Sequence, residues 1–524
     1  MTATQTTAPR QIARAAGVIM AAFVINNLFS LLRTVLALGA FGTGPEMDAF
    51  SAANRVSETL FNLVAGGALV SAFIPTFTTL ITRGERAEAW RLASAVGNLI
   101  LLVMTAACAG AALFAPQIVR YTLASGFAGD PEKLALTVEL MRLMLPSAVL
   151  FGLSALAMGV LNSHQIFIYP ALAPTMYQLG QIFGVLVLGP RLGVHGLAWG
   201  VVLGSGLYLS LQVPALLRLK GNYYPSLGLK STAVREVGRL LGPRLFGVAI
   251  VQLNFWVNTL LASYYEGGVI AIATAFTLML MPQAAIAQSI AIAAMPTFSA
   301  QAALSRLEEM RSALASSLRG ALILSIPASV GLILLRRPVI AAIYQRGEFG
   351  PDSTALVAWA LLWYAAGLVG HSMVEILARA FYALHDTKTP VMVGAAAMGL
   401  NILFSLVFTR LFAGLGWAPH GGLALANSLA TALEMAGLLV LMRTRLGGLE
   451  GRDLLSGAAR ASAAALLMGL ALWGWLRAVP TQPDWLVAAG GVALGGAVFA
   501  LAAFGLRIRE ARGILLLVRS KLVG

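Results

Sequence analysis

The sequence predicts an all-α polytopic membrane protein with about fourteen transmembrane helices. Of its 524 residues, 59% are hydrophobic even without glycine, and only 11% are charged. Soluble domains contain roughly 45–50% apolar residues with glycine counted, and about 25% charged residues. Apolar runs of about 20 residues, the length that crosses a bilayer, recur along the whole chain. Composition and run length together therefore place most of the chain in lipid.

The apolar runs are the elements on which this prediction depends, and they follow one another closely along the chain. Several exceed twenty residues, which predicts helices that tilt or extend past the bilayer. The predicted spans lie near 14–40, 49–81, 92–118, 134–161, 168–189, 194–217, 240–264, 268–300, 315–335, 354–384, 389–412, 421–442, 454–476 and 485–506.

The distribution of Lys and Arg predicts the orientation of these spans. With the N-terminus in the cytoplasm, 25 of the 36 basic residues fall in cytoplasmic segments and 8 fall on the opposite side. This bias obeys the positive-inside rule, and an even number of spans leaves both termini in the cytoplasm. Topology and anionic lipid therefore account for the net charge of +15. Nucleic acid is not expected as a partner, although a soluble protein of this charge would suggest one.

Two pairs of fragments indicate an internal repeat. SAFIPTFTTL (71–80) resembles AIAAMPTFSA (291–300), and GVLNSHQIFIYP (159–170) resembles AFYALHDTKTP (380–390), with a histidine aligned in the second pair. Both pairs are about 220 residues apart, which is six spans, and an even offset indicates a parallel repeat. Two such lobes favour a central cavity that opens alternately to the two sides, although channels can be built in the same way.

The repeat and the remaining spans predict four regions in the chain. Six helices form each lobe, a basic cytoplasmic segment joins the lobes, and two extra helices with a basic cytoplasmic tail follow them. The predicted regions are the N-terminal lobe 1–217, the linker 218–239, the C-terminal lobe 240–445 and the last two helices with their tail 446–524.

Charges inside the first two spans are the main candidates for function. A charge at the bilayer centre costs at least about 2.5–3.5 kcal/mol, so it must pair, snorkel or line water. Arg33 is about ten residues from the polar loop that follows it, roughly 15 Å along a helix, which puts it near mid-membrane. It has no acid at helical spacing in its own span, which favours a cationic patch on a water-filled cavity.

Arg55 and Glu58, in the second span, are spaced so that they can pair on one helix face. Asp48 lies two turns before Arg55 on the same face. Two interpretations stay open for the pair. It is either a buried structural pair that holds helices together, or part of a cavity that accepts an anionic headgroup.

Polar residues of later spans give a second set of candidates. His371, Glu375 and Arg379 share one face of the tenth span. They could form a proton- or ion-coupling site, and a structural charge ladder explains them equally well. Asn258 in the seventh span could belong to such a site, or it could form a hydrogen bond between helices.

Enzyme chemistry is not visible in the sequence. The single Cys108 excludes an internal disulfide, and none of the five histidines has metal-ligand spacing with Cys or carboxylates. No phosphate-binding glycine loop of the P-loop kind occurs, so no cofactor and no metal are expected. Energy should then come from an ion gradient, the membrane potential or a separate ATPase. The short polar N-terminal stretch has no cleavage site after its apolar segment, which predicts no cleaved signal peptide.

Several fragments resemble the MurJ/MviN family of lipid II flippases, within the multidrug/oligosaccharidyl-lipid/polysaccharide exporter superfamily. They are FGTGPEMDAF, GGALVSAFIPTF, GVLNSHQIFIYPALAPTMYQL, IYQRGEFGPDST and ARAFYALHDTKTPV, in this order along the chain. The resemblance implies a two-lobed fold with a central cationic cavity in a bacterial inner membrane. It implies a lipid-linked saccharide diphosphate as cargo, moved from the cytoplasmic to the outer leaflet for peptidoglycan synthesis and hence cell-wall biogenesis and cell shape. It also implies membrane lipids and peptidoglycan synthesis proteins as partners, and a lipid-tail groove at the last two helices.

Only part of the family's set of cavity charges is present. Arg33, Asp48 and Arg55 match charged positions of the family, and Glu58 is an addition of this sequence. Uncharged residues replace the other family charges, at Asn27, Thr34, Phe61, Gly66, Thr277 and Leu280. The resemblance therefore assigns substrate binding to Arg33, Asp48 and Arg55, with Glu58 beside them.

Three functions remain open at this point. The first, which the full-length resemblance favours, is a lipid II flippase in which Arg33 and Arg55 suffice. The second is a flippase or exporter of another polyprenyl-linked glycan or amphiphile. The third is a paralogue that transports nothing and acts as a membrane scaffold.

Overall fold

A computed structural model describes residues 7–64 and 68–508 of the chain, with side chains for 20–63 and for 69–508 apart from 71 and 243. The predicted basic tail after Ile508 therefore lies outside the described residues, as does Gly66. The predicted location of the two chain ends in the cytoplasm also falls on residues outside this range.

Within the described ranges the chain forms nineteen α-helices and no strand. Most of them are long and apolar, as the composition predicts. In chain order they are α1 (Thr7–Phe41), α2 (Pro45–Val64), α3 (Ala68–Thr82), α4 (Arg86–Leu113), α5 (Ala115–Gln117), α6 (Pro131–Met144), α7 (Pro146–Ser163), α8 (Ile168–Phe183), α9 (Gly189–Leu192), α10 (Val194–Arg218), α11 (Thr232–Ala262), α12 (Gly268–Gln283), α13 (Ser289–Ala303), α14 (Leu307–Tyr344), α15 (Pro351–Ala383), α16 (Lys388–Gly414), α17 (His420–Arg445), α18 (Gly451–Ala478) and α19 (Asp484–Gly505).

Thirteen helical segments of the described chain are long and apolar enough to cross a membrane. They confirm the prediction of an all-α polytopic membrane protein and correspond to thirteen of the fourteen predicted spans. The exception is the second predicted span, 49–81, of which residues 65–67 lie outside the described residues, with α2 before them and α3 after them. Helix α2 is too polar to qualify, because it contains Asp48, Arg55 and Glu58 as well as several Asn and Ser residues.

Two compact units share the helices between them. The first unit comprises Met1–Glu266 with Gly347–Phe349, and the second comprises Gly267–Arg346 with Gly350–Gly524. In the second unit a buried cluster that includes Phe298, Phe381 and Met442 joins α13, α14, α15 and α17. The last two helices, α18 and α19, pack against α14 in that unit. The predicted boundaries of the lobes and the linker stay a prediction.

In the first unit, helices α8 and α10 approach each other closely through glycines. A Cβ atom on Gly180 would clash with the backbone of Gly204, and a Cβ atom on Gly204 would clash with the backbone and ring of Tyr177. Glycine permits this approach because it has no side chain to separate the two backbones. In lipid, where no hydrophobic effect drives helices together, such close packing supplies much of the attraction between them. The approach fixes the position of Tyr177.

The two fragments of the second sequence pair contain the same local turn, a helix end that also occurs elsewhere in the described chain, as at Ser305. The internal repeat stays a prediction. At the end of α7, Gln165 has φ 60°, and the N–H of Ile166 donates to the carbonyl of Leu161 at 2.9 Å. At the end of α15, His385 has φ 58°, and the N–H of Asp386 donates to the carbonyl of Phe381 at 3.0 Å. Both turns are Schellman motifs, which end a helix with a left-handed residue.

This match corrects the alignment of the two histidines by one residue. His385 occupies the left-handed position of its turn, whereas the equivalent residue of the first turn is Gln165 and not His164. The ring of His164 instead contacts the carbonyl of Val160 at 2.9 Å. The aligned histidines of the two fragments are therefore not structural equivalents.

Candidate functional site

A cavity of about 300 Å³ lies within the first unit, where α1, α2, α7, α8 and α10 meet. Its wall combines aromatic rings with amide, hydroxyl and carboxylate groups. The lining residues are Asn26, Asn54, Ser57, Glu58, Phe61, Asn62, Ser147, Phe151, Pro174, Tyr177, Gln178 and Tyr208. Of the four residues predicted for substrate binding, Glu58 lines this cavity.

Glu58 is held by two neighbours on α2. Arg55 Nη1 donates to Glu58 Oε2 at 2.9 Å, and Asn54 Nδ2 donates to Glu58 Oε1 at 2.8 Å. The Arg55 guanidinium also lies over the ring of Phe255, 5.3 Å from its centroid. The side chain of Glu58 is 42% exposed and that of Arg55 is 20% exposed. The spacing of three residues therefore produces the predicted pair, with its carboxylate facing the cavity.

Arg33 lies on α1, next to α8. Its Nη1 donates to Gln181 Oε1 at 3.3 Å, and Gln181 is buried. Tyr177 lies one turn before Gln181 on α8 and lines the cavity. Arg33 therefore contacts the helix that forms this part of the cavity wall.

Asp48 is located in a different environment from the other three predicted residues. It is fully buried and accepts a hydrogen bond from Lys133 Nζ at 3.1 Å. The ammonium group lies 4.1 Å from the centroid of the Phe127 ring. This ion pair joins α2 to α6, and Asp48 is not among the residues that line the cavity. The geometry gives Asp48 a structural role, and its predicted contact with substrate stays a prediction.

The predicted ladder of α15 separates into two contacts within the second unit. Arg379 Nη2 and Glu375 Oε1 are 2.7 Å apart and form an ion pair. His371 Nε2 instead lies 3.0 Å from Asn427 Oδ1 on α17. Asn258 is buried on α11, in the first unit. Within the second unit, the structure brings Glu375 and Arg379 together and gives His371 a different partner.

Sequence reasoning missed the polar face that α8 presents to the cavity and to Arg33. Tyr177, Gln178 and Gln181 lie within four residues of each other in an apolar span. Three polar groups at that spacing occupy neighbouring positions of a helix surface, and this signal could have identified them. Lys133 was also missed, because it was assigned to a loop before the fourth span.

No metal centre is formed by the part of the chain that the structure describes. Three or more His, Cys, Asp or Glu residues do not come together there in a group that could hold an ion. The chemistry available at the cavity is therefore that of guanidinium, carboxylate, amide and hydroxyl groups. These groups can bind a polar ligand.

Residues 38–489 match the family model described as lipid II flippase MurJ. The chain belongs to this family. A lipid II flippase MurJ from Burkholderia cenocepacia is 29% identical over 431 residues, which cover 80% of this chain and 82% of the relative. A probable lipid II flippase MurJ from Vibrio cholerae is 27% identical over 530 residues, covering 99% of this chain and 98% of the relative. The resemblance noted from the sequence fragments is thereby confirmed.

Two solved structures share the fold of this chain. A structure titled lipid II flippase MurJ, inward closed conformation, aligns with a TM-score of 0.80 at 24% identity and covers 93% of this chain and 98% of its own. An inward-facing multidrug resistance transporter of the MATE family aligns with a TM-score of 0.67 at 16% identity, covering 81% and 96%. At these identities the likeness shows the fold alone.

Proposed function

We propose that this protein is a flippase that moves lipid II, an undecaprenyl-diphosphate-linked saccharide, from the cytoplasmic to the outer leaflet. The family match supports this proposal over most of the chain. The observation that carries it in the structure is the incomplete hydrogen bonding of two arginines, one on α1 and one on α2. Arg33 Nε and Arg55 Nε are both buried and have no acceptor among the described residues.

A diphosphate would satisfy these donors. Arginine binds phosphate through a planar set of N–H groups that match two oxygens at once. Glu58 offsets the charge of Arg55, whereas Arg33 donates to the neutral amide of Gln181. The three side chains therefore retain a net positive charge in a region where a charge is costly. An anionic headgroup would lower that cost, and the prenyl tail could remain in lipid.

The proposal extends to energy, location and partners. The protein would be a transporter and not an enzyme, in the bacterial inner membrane with both termini in the cytoplasm. An ion gradient or the membrane potential would drive it, and Glu375, His371 and Arg379 would be the first residues to examine for coupling. Lipid II, membrane lipids and peptidoglycan synthesis proteins would be its partners.

The test measures lipid retention by the purified protein in native mass spectrometry. The two probes are lipid II and the same prenyl lipid without its diphosphate–saccharide head. We expect selective retention of lipid II. We expect Arg33→Ala and Arg55→Ala each to weaken it about ten- to hundredfold, because hydrogen bonds to charged groups contribute about 1.5–3 kcal/mol.

Arg410→Ala is the matched control, since it removes an equal charge from an exposed position near the end of α16. It should leave retention unchanged. Equal retention of the two lipids by the wild-type protein would show that the diphosphate is not recognised. Lipid II would then be wrong as the cargo, and another amphiphile or a scaffold role would have to replace it.

A further inference from the structure

Several residues that line the cavity carry a buried oxygen that has no hydrogen-bond partner in the described part of the chain. These oxygens are Asn26 Oδ1, Asn54 Oδ1, Ser57 Oγ and Gln178 Oε1, and all four residues line the same cavity. Buried polar groups in folded proteins are hydrogen-bonded in the large majority of cases. Four such atoms around one cavity therefore indicate that it is suited to a polar ligand.

The orientation of one of these groups is determined by its neighbours. Asn54 Nδ2 donates to Glu58 Oε1, so the Oδ1 atom of the same amide is left to accept a hydrogen bond. The Glu58 carboxylate adds further acceptor capacity. The amides of Asn26 and Gln178 can rotate by 180° and present either a donor or an acceptor. A hydroxyl group suits all of these partners, because it donates one hydrogen bond and accepts others.

The remaining wall of the cavity is aromatic. The ring of Phe151 packs against those of Phe61, Tyr177 and Tyr208, with centroid distances of 4.6, 5.0 and 5.5 Å. A wall of aromatic rings with a few placed polar groups is typical of sites for small organic ligands. Such a wall suits a ligand with C–H faces and a hydroxyl-bearing rim.

The size and position of the cavity limit the ligand further. Its volume of about 300 Å³ is at the lower end of the roughly 300–1,000 Å³ range of ligand pockets. One sugar ring can enter such a space, whereas a whole lipid-linked saccharide is too large. Glu58 both lines the cavity and pairs with Arg55, so the cavity adjoins the guanidinium assigned to the diphosphate.

We infer that this cavity binds a hydroxyl-bearing sugar ring of the lipid-linked substrate while Arg33 and Arg55 bind its diphosphate. The inference rests on the proposed function. It assigns the selectivity for the saccharide to a cavity within the first unit, and it gives Asn26, Ser57 and Gln178 a role in recognition.

Two prenyl diphosphates, one with and one without the saccharide, test this inference. Retention of lipid II and of undecaprenyl diphosphate is measured by native mass spectrometry for the wild-type protein and for Gln178→Leu. We expect the wild-type protein to prefer lipid II. The substitution should lower lipid II retention about tenfold, because it removes hydrogen bonds to the sugar, and should leave undecaprenyl diphosphate retention unchanged. Asn26→Leu is a second variant, included in case Gln178→Leu fails to fold. It should have the same effect on the retention of the two lipids.

Gln212→Leu is the matched control. Gln212 is buried in α10 of the same unit and has an unpaired Oε1 atom, but it is not among the residues that line the cavity. This variant should retain both lipids as the wild-type protein does. A difference between the two glutamine variants therefore reports on the cavity and not on the loss of a buried amide.

The other outcomes contradict the inference in different ways. If Gln178→Leu and Asn26→Leu lower the retention of both lipids equally, the cavity supports the fold or the diphosphate site. If the two substitutions change the retention of neither lipid, water alone provides the hydrogen bonds of the cavity. If the wild-type protein retains undecaprenyl diphosphate and lipid II equally, the sugar site is wrong and the diphosphate site survives. If it retains neither lipid, the proposed function fails as well.

Discussion

At the scale of single residues, the position of a charge in the fold decides its role. Arg55 and Asp48 lie on the same helix, and both belong to ion pairs. The pair of Arg55 is part-buried, and its partner Glu58 faces a cavity, so it remains accessible to a ligand. Asp48 pairs with Lys133, both side chains are buried, and the Lys133 ammonium group lies over the ring of Phe127. The first pair suits recognition, and the second suits stability.

The buried pair of Asp48 predicts a large loss of stability when one partner is removed. Asp48→Asn should lower the free energy of unfolding by about 3–5 kcal/mol, because it leaves the Lys133 ammonium buried without its counter-charge. The measurement is thermal unfolding of the purified protein in detergent. The double variant Asp48→Leu with Lys133→Met should regain most of the loss, since apolar pairs often replace buried ion pairs. A stable Asp48→Asn protein that no longer binds lipid II would contradict the structural role.

At the scale of helices, close packing between α8 and α10 positions the aromatic wall of the cavity. Gly204 leaves room for the backbone and ring of Tyr177, and Tyr208 is one turn further along α10. Because Tyr177 contacts the ring of Phe151, a change in helix separation would alter the cavity. The glycines are therefore part of the site although they do not line it.

Gly204→Ala should destabilise the protein by about 1–3 kcal/mol, the usual effect of overpacking a tight contact. It should also weaken lipid II retention, because Tyr177 must move. Both effects are measured on the same sample, by thermal unfolding and native mass spectrometry. Gly206→Ala is the matched control on the same helix, where a Cβ atom meets no neighbour within 4 Å. That change should be neutral or slightly stabilising, and an equal effect of the two substitutions would show that the contact is unimportant.

At the scale of the whole molecule, thirteen apolar helical segments of the described chain indicate a multi-pass membrane protein, and the distribution of basic residues predicts its orientation. The buried cluster of the second unit and the cavity of the first unit are each built from residues of one unit. The fold is shared with transporters at low identity, at TM-scores of 0.80 and 0.67. Function therefore has to be argued from the residues of the site and not from the architecture.

The predicted orientation can be measured because Cys108 is the single cysteine and is buried. In a Cys108→Ala background, a new cysteine replaces Asn222, in the basic segment, or Thr481, between α18 and α19. Both positions are exposed. A membrane-impermeant maleimide should label Thr481→Cys in intact spheroplasts, and Asn222→Cys only after the membrane is opened, as the positive-inside rule requires. The reverse pattern would overturn the predicted topology.

Local properties of the sequence determined a large part of this picture. Thirteen of the fourteen predicted spans, in their order, follow from run length and hydropathy, because every stretch that crosses lipid must be apolar and hydrogen-bonded within itself. The pair of Arg55 and Glu58 follows from helical spacing. The family follows from fragments distributed along nearly the whole chain.

Only the tertiary structure decided which polar residues meet. Lys133 reaches Asp48 across 85 positions of sequence, and Gln181 reaches Arg33 across 148. Such partners depend on helix packing, which short spacing along the chain does not encode. The collection of unpaired oxygens on residues of α1, α2 and α8 around one cavity has the same origin. Spacing predicts contacts within one helix, whereas a site made by several helices is determined by how they pack.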